Sequence, residues 1–362
     1  RHIFWMSCHR QVVCQGNGMM NQGIVRLLVV GIFVVLGTAQ GAKRPNIVVI
    51  LTDDHRYDAM GFLGHPFLKT PNFDRLAAEG VHFKNAYVTT SLCSPSRASI
   101  LTGLYAHNHH VVDNYNPVSK SLTFFPELLQ KAGYQTAFIG KWHMGGAHDD
   151  PRPGFDHWIS FRGQGNYLPP GPKYTLNVNG KRVKQKGYIT DELTDYAVDW
   201  LEKQKDAEKP FFLYFATSDP HRGGGKDKTS KRDLKPDLFG NKANRKSHDG
   251  VEEVFYDPKK VPIPSFLPDT PETREELAQY YQSVSRIDQG VARLVKILKE
   301  ADLYDKTLIV FTSDHGMAFA GGKTTVYEGG LRVPFVVRNT YEKERGVRNK
   351  ALISHIDITP SL

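Results

Sequence analysis

The sequence predicts an α/β fold, with a largely parallel central sheet flanked by helices. Short continuous apolar runs of strand length alternate with stretches of helical spacing, which is the pattern of successive βαβ units. Four of these runs end in a polar cluster: Asp53-Asp54, Lys141 with His143, His221, and Asp314-His315. Ligands of parallel sheets bind beyond the carboxyl ends of the strands, so four such clusters at one edge point to a site. At 362 residues the chain is long enough for one large domain or two.

In chain order, Asn46–Thr52 (NIVVILT) is a β-branched run suited to a strand buried on both faces, and it runs into Asp53-Asp54. Adjacent carboxylates repel and need a counter-charge, which favours a cation site over a turn. Thr70-Pro71 opens a helix through Ala78 that Gly80 closes. Residues 81–88 alternate weakly and lead to Cys93, where Ser94 is expected as N-cap and Pro95 as first helical residue. That places Cys93 at the positive end of a helix with Arg97 one turn on, an environment favouring negative charge on Cys93.

Pro126–Lys131 reads as a helix stopped by Gly133. Tyr134–Ile139 reads as a strand ending in Gly140-Lys141-Trp142-His143, and the Gly/Pro-rich 151–172 stretch as a long surface connection. Ile189, Leu193, Ala197, Trp200 and Leu201 have helical spacing. Strand 211–216 (FFLYFA) ends in Ser218-Asp219-Pro220-His221, followed by a polar, basic insertion whose Arg222–His248 part is expected to act as a lid attracting anionic chains. Thr270-Pro271 caps a long helix carrying Leu277 through Leu298 on its inner face. Strand 307–312 (TLIVFT) ends in Ser313-Asp314-His315-Gly316.

Net charge is +9 and the isoelectric point about 9.2, which favours anionic partners. No helix-turn-helix, zinc-finger or RNA-binding signature occurs, so nucleic acid is not expected as a partner. An apolar run from Leu27 to Gly37 follows Arg26 and precedes Ala39-Gln40-Gly41. It is short for a stable membrane span and reads as a secretory signal peptide within an upstream segment, residues 1–41. Export to the periplasm, the exterior or a lysosome-like compartment follows. Of Cys8, Cys14 and Cys93, only Cys93 would remain after cleavage, and a lone thiol in an exported chain needs a reason.

The run Cys93-Ser94-Pro95-Ser96-Arg97-Ala98-Ser99-Ile100-Leu101-Thr102-Gly103 supplies one. It resembles the signature of the type I sulfatases of the alkaline phosphatase superfamily, and the resemblance extends over roughly residues 45–362. It implies that Cys93 is converted by a formylglycine-generating enzyme to formylglycine, whose hydrate is the nucleophile. It also implies a metal site of Asp53, Asp54, residue 93, Asp314 and His315. Oxygen ligands suit Ca²⁺, and His315 keeps Mg²⁺ or Mn²⁺ open. By motif, Lys141 and Lys323 would clamp the sulfuryl oxygens and Arg97 would hold the hydrate. His221 or Lys323 would protonate the leaving alcohol, and His143 would take the second hydroxyl's proton.

The resemblance makes 42–362 a sulfatase catalytic domain stopping short of the family's smaller C-terminal subdomain. The 266–271 and 285–290 segments look like heparan N-sulfatases, whereas 105–110 and 161–165 look like N-acetylglucosamine-6-sulfatases. A sulfated glycan is the expected substrate. The competing readings are a phosphate-ester or phosphonate hydrolase of the same superfamily and an inactive secreted glycan-binding homologue. His107, His109 and His110 match no ligand spacing and stand as substrate-side or structural.

Overall fold

The computed structural model describes residues 44–145, 148–169, 174–223, 239 and 248–362. The signal-peptide segment and most of the basic insertion, 224–238 and 240–247, lie outside the described residues. Ten strands form one sheet: β1 (Asn46–Thr52), β2 (Val81–Tyr87), β3 (Gln135–Gly140), β4 (His157–Ser160), β5 (Thr175–Val178), β6 (Lys181–Lys184), β7 (Phe211–Ala216), β8 (Thr307–Ser313), β9 (Phe335–Arg338) and β10 (Val347–Ser354). Their order is β10-β2-β9-β8-β1-β7-β3-β4-β5-β6. The block β8-β1-β7-β3-β4 is parallel throughout, while β9, β5 and β6 run antiparallel to their neighbours.

The apolar run of β1 is buried at every position because both faces of the sheet are covered. Val48 and Ile50 face one core layer, with α1 (Pro71–Ala78), α5 (Ile189–Glu202) and α6 (Pro271–Glu300) packed over it. Ile47, Val49 and Leu51 face the other, covered by α2 (Cys93–Thr102) and α4 (Phe125–Lys131); the short α3 (Ala106–His109) packs against α2. α6 begins as its sequence suggests, with the Thr270 side chain accepting from Thr273 N at 3.2 Å.

Two expectations are corrected. The 151–172 stretch is not merely a surface connection, for it contains β4, whose Trp158 and Ile159 are buried. Four residues among Gly and Pro are too few for periodicity to register. The α2 helix begins at Cys93 rather than after Ser94, with Leu92 at the cap position. Its exposed N–H groups are met from outside the helix: Asn114 Oδ1 accepts from Ser94 N at 3.0 Å.

Candidate active site

Strands β8, β1, β7 and β3 lie side by side and parallel, so their four polar clusters share one edge. Main-chain bonds tie the cluster backbones together. Asp53 N donates to Asp219 O at 3.1 Å, Asp314 N to Thr52 O at 3.0 Å, and Lys141 N to Ala216 O at 2.9 Å. Asp54 (φ 65°) and His143 (φ 47°) hold left-handed backbone, which costs about 1 kcal/mol per residue and turns both side chains back to the edge.

Around Cys93 the structure brings together every residue singled out above for the site. Cys93 is fully buried, and its Sγ lies 3.2 Å from Lys323 Nζ, 3.3 Å from His315 Nε2, 3.8 Å from Asp53 Oδ1 and 4.0 Å from Lys141 Nζ. His143 also helps to lower the same thiol, and its Nδ1 has no hydrogen-bond partner among the described residues. Burial alone would push the thiol up, but Lys141, Lys323 and His315 override it and hold Cys93 well below the ordinary thiol range. The pocket is built to stabilise negative charge at this atom.

Arg97, buried, donates through Nε and Nη2 to Asp314 Oδ2 at 3.1 and 2.9 Å, and through Nη1 to Lys141 O at 2.7 Å. Its Nη2 is also 3.5 Å from Asp53 Oδ2, so one guanidinium braces β1, β3 and β8 together. Lys141 pairs with Asp53, and Lys323 donates to Asp54 Oδ1 at 2.9 Å. His221 Nε2 stands 3.8 Å from Asp54 Oδ2.

Three carboxylates, Asp53, Asp54 and Asp314, are all fully buried. Burial and the neighbouring Asp53 push Asp314 up to about 7. Burial would lower His315, but Asp314, Cys93 and Asp54 together outweigh it and raise it to about 9. Asp54 Oδ2 has no hydrogen-bond partner among the described residues. Single donor atoms of Asp53, Cys93, Asp314 and His315 lie within 4.8 Å of one another, as do those of Asp53, Asp54, Cys93 and His221. Crowded anions with an orphaned buried oxygen fit a divalent cation, and the oxygen-rich donor set suits a hard one.

Three neighbours were not singled out as site residues, although Asp219 and Gln164 lie in segments the sequence pointed to. Gln164 Oε1 accepts from Lys141 Nζ. Its signal was its place just beyond β4, a strand too short to see. Asn114, which caps α2, lies in a loop that has no periodicity. Asp219, fully buried, accepts from Tyr188 Oη at 2.8 Å, and burial pushes it up to about 7. His109 is structural: Ser99 Oγ meets its Nε2 at 3.1 Å and Val111 N donates to its Nδ1 at 3.0 Å.

Residues 45–362 match the family model described as Sulfatase. The chain is 32% identical to an N-acetylglucosamine-6-O-sulfatase of Bacteroides thetaiotaomicron over 88% of this chain and 67% of the relative. It is 33% identical to the human N-sulphoglucosamine sulphohydrolase over 91% and 62%. A solved structure of a protein in complex with its substrate D-glucosamine-2-N,6-O-disulfate superposes with a TM-score of 0.68 at 29% identity, covering 88% of this chain and 76% of that one. A structure of Ps i-CgsB in complex with k-i-k-neocarrahexaose gives 0.67 at 31%, covering 88% and 71%. The chain spans about three-fifths to two-thirds of the length of these curated relatives. With the four strand-end clusters meeting around Cys93 and the family match running from the first strand onward, the chain belongs to the sulfatase family.

Proposed function

We propose that this protein hydrolyses sulfate groups of a sulfated amino-sugar glycan. One observation carries the reading: a buried Cys93 held among Lys141, Lys323, His143 and His315 beside three buried carboxylates. Its relatives' names, N-acetylglucosamine-6-O-sulfatase and N-sulphoglucosamine sulphohydrolase, support the substrate class. Export through the N-terminal segment and maturation by a formylglycine-generating enzyme belong to the same proposal.

Asp53, Asp54, Asp314 and His315 would hold the cation, with Ca²⁺ favoured by oxygen donors and Mg²⁺ or Mn²⁺ compatible with the histidine. When bound, the cation supplies Lewis-acid polarisation and the formylglycine hydrate at position 93 supplies the oxygen nucleophile. Cys93 Sγ marks the place of that oxygen. Lys141 and Lys323 hold the sulfuryl oxygens from two sides, since their Nζ atoms flank Sγ. Arg97 keeps Asp53 and Asp314 in place from beneath. His143, whose titration is coupled to the residue at position 93, is placed to accept a proton there. His221 faces the pocket from β7 and is placed to protonate the departing alcohol oxygen.

The test is a panel of sulfated amino sugars and their phosphate analogues, assayed on the full chain co-produced with a formylglycine-generating enzyme. Sulfate release that Cys93→Ala abolishes is the expected result. Preference for the phosphate analogues would favour a phosphohydrolase, and binding without turnover a glycan-binding role.

A further inference from the structure

One cluster of charged side chains is not used by the chemistry above. A cavity of about 190 Å³ is lined by His148, Asp149, Asp150, Arg162 and Arg182. Asp149 is 1% exposed, and its two carboxylate oxygens accept from Arg182 Nη1 and Nη2 at 2.5 and 2.6 Å. Its main-chain oxygen accepts from Trp158 Nε1 at 2.8 Å and Asn177 Nδ2 at 3.0 Å, so the carboxylate is fixed by β4 and β5. Arg162 Nε stands 3.8 Å from the same carboxylate, with its side chain 69% exposed. Arg152 lies over the Trp142 ring at 5.5 Å, within electrostatic reach of Asp150 and Asp149. Its Nε has no hydrogen-bond partner among the described residues.

Two guanidinium groups, Arg162 and Arg182, therefore line the cavity with two carboxylates, one of which Arg182 already occupies, and Arg152 stands nearby over Trp142. The cluster's position follows from strand register: Arg182 pairs with Asn177, and Asn177 with Ser160, the last residue of β4. The cavity thus belongs to the carboxyl edge of the sheet, the edge that carries Cys93. Two segments connect them. Arg162 is two residues before Gln164, which touches Lys141, and Arg152 covers the tryptophan between Lys141 and His143. The strand that ends in Lys141, β3, and the strand that carries Arg182, β6, are three spacings apart, roughly 15 Å at about 4.8 Å per step. That is the reach of a short oligosaccharide and more than one sugar.

We propose that this cavity is a second anion subsite, taking a sulfate or carboxylate on a neighbouring sugar of the glycan whose sulfate is cleaved at Cys93. The proposal rests on the sulfatase reading above. Arginine suits the task because its planar fork matches sulfate and carboxylate oxygens in pairs. Buried Asp149 holds Arg182 in advance, so little rotamer freedom is lost on binding. Arg162 supplies free donors at the mouth.

The experiment measures Kd by calorimetry on the full-length Cys93→Ala protein in Ca²⁺ buffer. The ligands are a sulfated heparan tetrasaccharide and a monosulfated glucosamine, and the readout is the ratio of their Kd values. Arg162→Ala should cut the preference for the tetrasaccharide about fivefold to tenfold, the worth of one partly exposed charge-assisted bond. Asp150→Asn, which removes a negative charge from the rim, should raise that preference about twofold to threefold. Its side chain is 67% exposed, so folding is not at issue. Monosulfated glucosamine bound normally with an unchanged ratio in both variants overturns the subsite and leaves the sulfatase reading standing. Failure of the parent protein to bind either ligand overturns both.

Discussion

Lys323 contacts both Cys93 and Asp54, at 3.2 and 2.9 Å. Burial would lower its pKa, but Asp54 leads the groups that hold it well above the ordinary lysine range, so it stays charged. Lys323→Met should lower kcat by roughly 10²- to 10³-fold, the usual cost of deleting one preorganised electrostatic contact. A kcat within threefold of the parent would make Lys323 a bystander. Asp314→Asn acts differently, since Arg97 loses the carboxylate that takes two of its N–H groups. Retained Ca²⁺ after dialysis, read by atomic emission, should fall at least tenfold; unchanged metal content would place the cation elsewhere.

At the scale of elements, the site depends on how tightly β3 and β7 approach at their carboxyl ends. Gly140 has φ 134°, and a Cβ there would sit 1.8 Å from Ala216 O. Gly140→Ala should destabilise the fold by roughly 3 kcal/mol, from overpacking plus backbone strain, and shift Lys141 off Asp53. A melting temperature within about 1 °C of the parent would mean the edge can relax. The same elements show what the sequence disclosed. β1, β3, β7 and β8 were legible because strands buried on both faces are written as mostly apolar runs, and each ends in a charge that has no business beside a core. Asp53-Asp54 and Asp314-His315 stood out for that reason. The short outer strands β4, β5, β6, β9 and β10 have mixed exposure or only four residues, so no period emerges. Gln164 was hidden with β4, and Asn114 by tertiary capping, which leaves no local trace.

Over the whole molecule, buried neutral histidines link stability to pH. His82, 6% exposed on β2, packs edge-on to Phe62 at 5.0 Å, and its Nδ1 has no partner among the described residues. Burial, followed by Arg348 and Lys84, lowers it to about 4 from an ordinary 6.5. Burial likewise lowers His355 to about 3. A depressed folded-state pKa means that the unfolded chain binds the proton first. Their stabilisation is therefore complete above pH 6.5 and is lost as pH falls through about 4 for His82 and about 3 for His355, roughly 3 to 5 kcal/mol each. Asp219 opposes them, because a carboxyl raised to about 7 contributes most at low pH and loses that contribution as pH rises through 7. The opposing slopes make the difference between a variant and its parent the informative quantity. His82→Gln removes one titration and keeps a polar group of similar reach. It should be less stable than the parent at pH 7.5, where the imidazole packs neutral, and should lose this disadvantage by pH 5. Urea unfolding at both values checks this; a stability difference independent of pH would show that His82 titrates alike in the folded and unfolded chains.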